Sequence, residues 1–187
     1  MATSVYLIIE GESDVKVASL KEGFGELLRK VCGKKNPRIV MGDGKTQCID
    51  MFLNTKQYDT PNSMLLVDLD GPSENKEKDI VSNGLKDRSG RVHFMIQEME
   101  SWFLSQPEII NTYYQTNLAY EFIYKDIKRI SEPDKVIENI ARKANHKTRK
   151  SYHKVKDGAK LLLLLDASKL KEEFSDFNDL VTKIINA

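Results

Sequence analysis

The chain has 187 residues, a formal net charge of +1, 30% charged and 40% hydrophobic residues. That length supports one principal domain with one core, and that balance excludes a disordered or membrane-spanning chain. No apolar stretch approaches the ~18 residues a bilayer requires, and residues 1–20 lack a secretory pattern, so a cytoplasmic protein is expected.

Taken in order, VYLII at residues 5–9 is an apolar run closed by Glu10 and Gly11, and residues 14–31 place apolar side chains at helical spacing. Residues 38–41 read as a second strand, GDGKT (42–46) as a turn and 46–53 as a second helix. Residues 63–67 form a third apolar run that does not alternate, which is the pattern of a strand covered on both faces. Residues 74–86 are polar, a short helix or a loop, and 92–96 are a fourth strand. Strands alternating with helices predict an α/β fold with a parallel sheet of about four strands over residues 1–105. From 106 to 187 the periodicity is helical, at 107–114, 119–130, 133–145, 155–166 and 176–185, with Pro107 and Pro133 at first-turn positions. This half is expected to pack on the core as part of one structural domain.

Cys32 and Cys48 have no partnering spacing and no neighbouring His pattern, so neither a disulfide framework nor a zinc site is indicated. Charge is uneven: residues 68–79 are acidic, whereas 142–156 hold seven Lys or Arg, two His and no carboxylate. A local basic tract of that kind can bind phosphates without a basic pI, and the simpler reading is a solvated helix face and loop.

In a parallel sheet, ligands collect outside the carboxyl ends of the strands. Glu10 ends the first strand, and Asp68 and Asp70 end the third, so the three are expected on one rim. Clustered carboxylates raise one another's pKa unless a cation neutralises them, and hard oxygen ligands imply Mg²⁺ or Mn²⁺, one or two ions. The simpler reading is that Asp-x-Asp-Gly-Pro is a good turn. GDGKT mimics a P-loop, but the position that needs a first glycine is Ile39. The loop still offers Lys45 and Thr46 to a phosphate.

VYLIIEGESD followed by MLLVDLDG resembles the Toprim superfamily of topoisomerases, primases and overcoming-lysogenization-defect nucleases, with its E-G-x-x-(D/E) and D-x-D motifs. HFMIQEMESWFLSQPE and YHKVKDGAKLLLLLD resemble a family of small Toprim-like bacterial proteins associated with an ATPase, so the likeness runs nearly end to end. The resemblance implies a Mg²⁺-dependent nuclease cutting DNA or RNA, an effector of an anti-phage defence module with an ATPase partner. Glu10 would be general acid/base and metal ligand, and Asp14, Asp68 and Asp70 further ligands. Glu98 and Glu100 follow the fourth strand; residues two apart on a helix diverge, so one of them, preferentially Glu100, is expected to face the metals. Lys154, in the Y-x-K stretch, is the functional lysine, and Lys147, Arg149, Lys150, His153 and Lys156 the phosphate-binding tract. Trp102 and Phe103 are read as core. Alternatives are a non-catalytic nucleic-acid-binding or ATPase-docking subunit, and a small-molecule phosphatase. Oligomeric state stays open.

Overall fold

The computed structural model describes residues 4–11, 19–122, 126–144 and 151–187. Its first half runs β1 (Tyr6–Glu10), α1 (Leu20–Cys32), β2 (Arg38–Gly42), α2 (Lys45–Asn54), β3 (Ser63–Asp68), α3 (Lys76–Ser82) and β4 (Val92–Met95). The four strands pair in parallel in the order β2-β1-β3-β4 with helices packed on them, an α/β fold. β3 and β4 are buried along their whole length, as strands covered on both faces are. The chain leaves β1 for β2 on one side and returns across β1 to reach β3. The strand order therefore reverses between β1 and β3, and the crevice at their carboxyl ends is where such sheets bind ligands.

α1 begins with a capping box, in which the Ser19 side chain accepts the Glu22 N–H and Glu22 reaches back to the Ser19 N–H. That cap sets the start of the described helix at Leu20, later than the periodicity from residue 14 predicts; residues 12–18 lie outside the described part.

The second half contains α4 (Glu100–Leu104), α5 (Pro107–Tyr114), α6 (Pro133–Ala144), α7 (Lys154–Leu164), α8 (Ala167–Glu173) and α9 (Ser175–Asn186). Two expectations are corrected. The helix read over 119–130 is instead two 3₁₀ segments, Leu118–Phe122 and Ile127–Arg129. Asn111 Oδ1 takes the Ala119 N–H at 2.9 Å, and Asp126 is extended, so neither continues a helical ladder. The helix read to residue 166 stops at Leu164, because Asp166 caps α8 by accepting the Ser168 and Lys169 N–H groups.

One cluster of buried side chains takes members from the sheet, from α1 and from α4 to α9. Trp102 is fully buried, with edge-on ring contacts to Phe24 of α1 at 6.2 Å and Phe177 of α9 at 5.1 Å. Cys32 and Cys48 are buried free thiols. α1 and α7 approach closely at Gly23, where a Cβ would lie 2.9 Å from the Ala159 carbonyl and 2.9 Å from Leu162 Cδ1. Gly23→Ala is expected to destabilise the protein by about 1–3 kcal/mol, read as a lower denaturation midpoint in urea, since backbone cannot yield as a side-chain tip can.

His93 on β4 is buried, its Nε2 has no hydrogen-bond partner, and its Nδ1 lies 3.5 Å from Asp179 of α9. Burial, helped by Lys183, pushes its pKa down to about 4 from 6.5; Asp179 and Asp176 oppose this incompletely. The unfolded chain thus takes up this proton first, and stability present above about pH 6.5 is lost as pH falls toward 4. The loss reaches about 3 kcal/mol at most. His93→Phe is expected to flatten the fall of thermal midpoint between pH 6.5 and 4 relative to the parent chain; Glu10 and Glu100, which titrate with the opposite sign, are common to both.

Candidate active site

β1 ends on Glu10 and β3 on Asp68, one on either side of the reversal point. Gly11 follows Glu10 with φ +148°, a backbone that favours glycine, so the E-G step turns the chain away and leaves the carboxylate at the rim. Glu10 Oε2 accepts the Asp68 N–H at 3.1 Å. Burial first, and the Asp68 charge second, push the Glu10 pKa up to about 7, against the pull of that hydrogen bond.

Asp68 is buried and held from two sides: Oδ1 accepts the Met99 N–H at 2.8 Å, and Oδ2 accepts Lys154 Nζ at 2.9 Å. Burial raises its pKa and Lys154 offsets part of the rise. The Lys154 ammonium lies at the first turn of α7 and also reaches Glu98 Oε2 at 3.5 Å and Glu100 Oε2 at 3.4 Å. Burial disfavours its charge, but Asp68 and Glu100 outweigh that and hold its pKa above the ordinary lysine value. Glu100 has no exposed surface, and burial lifts its pKa to about 7; its Oε1 accepts the Tyr152 hydroxyl at 2.8 Å.

Glu98 and Glu100 both meet Lys154. Gln97, just before the pair, has φ +59°, and Met99 between them is already in the helical region as the cap of α4.

Asp70 goes elsewhere. Its backbone is left-handed (φ +56°), its N–H donates to the Gln97 carbonyl, and its exposed side chain meets Lys45 Nζ at 3.2 Å. Lys45 is held more closely by Asp79, at 2.7 Å, so two carboxylates already neutralise the cation expected to take a phosphate. Thr46 is exposed on α2. His153 and Lys156 are exposed at the start of α7, where His153 Nδ1 accepts the Lys156 N–H at 3.3 Å and caps the helix. Asp14, Lys147, Arg149 and Lys150 lie outside the described residues.

A cavity of about 390 Å³ opens at this edge, lined by Glu10, Asp43, Asp68, Met99 and Lys154 among others. Asp43, inside GDGKT, and Tyr152 escaped the sequence reading. Tyr152 opens the Y-x-K stretch two residues before Lys154, and that stretch was its signal.

Among the described residues no group of three or more metal-ligating side chains is placed to hold one ion. A closed cage of Glu10, Asp68 and Asp70 is therefore not formed. The pair Glu10 and Asp68 does suit Mg²⁺, which is commonly bound through one or two carboxylates and completed by water and substrate phosphate. Both are oxygen donors facing one cavity.

Residues 9–185 match the family described as "Domain of unknown function (DUF4276)". No curated protein and no solved structure matches the chain. No helix among the described residues is long and apolar enough to cross a membrane.

Proposed function

We propose that this chain, which belongs to the DUF4276 family, is a divalent-metal-dependent phosphodiesterase acting on nucleic acid. The observation that carries the reading is the meeting of Glu10 and Asp68 at the strand-order reversal, inside a cavity that Lys154 also lines. The likeness of EGESD and VDLDG to the Toprim motifs supports it.

Glu10 and Asp68 would hold Mg²⁺ or Mn²⁺, and a bound ion supplies an activated water, neutralises the phosphate and stabilises the leaving oxygen. The chain's own groups do the rest. The Met99 N–H and the Lys154 ammonium fix both oxygens of Asp68, so the carboxylate is oriented before substrate arrives. Lys154 keeps its charge and places it at the wall of the cavity, where a phosphate oxygen would meet it. Exposed Lys156 extends this positive edge along α7. Phosphate contacts position a strand without reading its bases, so sequence selectivity is not part of the proposal. The end-to-end resemblance supports an ATPase partner that gates cleavage, in an anti-phage defence setting.

A second reading, a non-catalytic docking subunit, draws on one observation: Lys154 already places an ammonium among Asp68, Glu98 and Glu100. The purified chain incubated with single- and double-stranded DNA and RNA oligonucleotides, in Mg²⁺ or Mn²⁺ against EDTA, separates the two. Cleavage that EDTA abolishes is the expected result. Binding with no cleavage in either metal would favour docking, and turnover of p-nitrophenyl phosphate with intact oligonucleotides would favour a phosphatase.

A further inference from the structure

We infer that Lys154 takes the place of a second cation, so that the chain binds one divalent ion, on the Glu10 side of Asp68, and not two. The inference rests on the metal-dependent reading above and deepens it.

Asp68 stands between two acidic surroundings. On one side is Glu10, whose Oε2 carries only the Asp68 N–H among the described contacts and whose carboxylate lines the cavity. On the other are Glu98 and Glu100, where a two-ion centre sharing Asp68 would draw its further ligands. That second place is filled by the chain itself. Lys154 Nζ stands 2.9 Å from Asp68 Oδ2, 3.4 Å from Glu100 Oε2 and 3.5 Å from Glu98 Oε2, three carboxylate oxygens around one tethered positive charge.

The surroundings make this arrangement deliberate rather than incidental. Glu100 is wholly buried, and among the described residues its Oε2 has no hydrogen-bond partner and only the Lys154 ammonium facing it as compensation. Tyr152 pins Oε1 and fixes the direction in which Oε2 points. α7, which carries Lys154, is held against α1 by the close approach at Gly23 and Ala159, so the ammonium is delivered from a fixed helix start rather than from a loose chain. A divalent ion entering among these three acids would have to expel the ammonium or sit against a like charge beside the buried Asp68 and Glu100. Among the described residues no lysine forms an ion pair with Glu10, and its carboxylate lines the cavity, which leaves its side of Asp68 as the one an ion can enter.

The test counts ions rather than products. Mn²⁺ is titrated into the full chain at pH 8, and free Mn²⁺ is followed by its electron paramagnetic resonance signal, with circular dichroism to verify folding. One ion per chain is expected for the parent protein. Lys154→Met and Lys154→Gln, the second keeping a donor toward Asp68, are each expected to bind two, the additional ion at least about tenfold tighter than any second ion on the parent. Two ions on the parent, or a count of one in both folded variants, overturns the inference and leaves metal dependence standing. No Mn²⁺ bound to the parent overturns the metal-dependent reading itself. Should Lys154→Met fold only when Mn²⁺ is added, the ion is replacing the lost ammonium, which supports the inference.

Discussion

Glu10→Gln is expected to lower divalent-dependent cleavage by about a hundredfold to ten-thousandfold, the range lost when a positioned acid/base group is removed. Gln keeps the shape and can still accept the Asp68 N–H, so what disappears is the charge. Stability should move the other way. Burial pushes the Glu10 pKa to about 7, so the folded state favours the neutral acid, and the stability this gives is lost as pH rises from 4.5 through 7. At pH 8 the neutral Gln avoids that cost, and the variant should melt at or above the parent. Asp68→Asn should be as inactive but less stable, because an amide cannot replace a carboxylate that accepts from both Met99 N–H and Lys154. Cleavage rates and thermal midpoints measured together separate the two roles. Activity of Glu10→Gln within tenfold of the parent would sink the proposed site.

The largest loss of stability is expected at Trp102. Trp102→Ala should cost about 3–5 kcal/mol, the range for emptying a buried large aromatic site. Against a total stability of about 5–15 kcal/mol for ordinary domains, this leaves a marginal protein. Its contacts explain the breadth of the effect: Phe24 belongs to α1, Phe174 ends α8 and Phe177 lies on α9, so one indole ties the sheet-side helix to the last helices of the chain. Because that cluster is continuous, the whole transition should shift to lower denaturant as one step. A separate early transition for residues 106–187 would show instead that the helical half unfolds by itself.

Non-local contacts, which periodicity does not encode, set the positions of several functional groups. The motif at 68–70 invites the reading that both aspartates serve one ion, yet Asp70 adopts a left-handed backbone tied to the Gln97 carbonyl and faces Lys45. Glu98 and Glu100 converge on Lys154, a residue far along the chain from both. Lys154 was legible as a residue of interest only through resemblance, since it meets Asp68 across 86 positions of sequence.

By itself the sequence determined the four strands, their parallel pairing and the rim on which Glu10 and Asp68 lie. Apolar runs too continuous to alternate need cover on both faces, and helices between them supply it. Only the tertiary structure decided which acids meet, which are spoken for by lysines and where the cavity opens. Those outcomes depend on side-chain directions at irregular turns and on the seating of α7 against α1, both settled by packing between segments far apart in the chain.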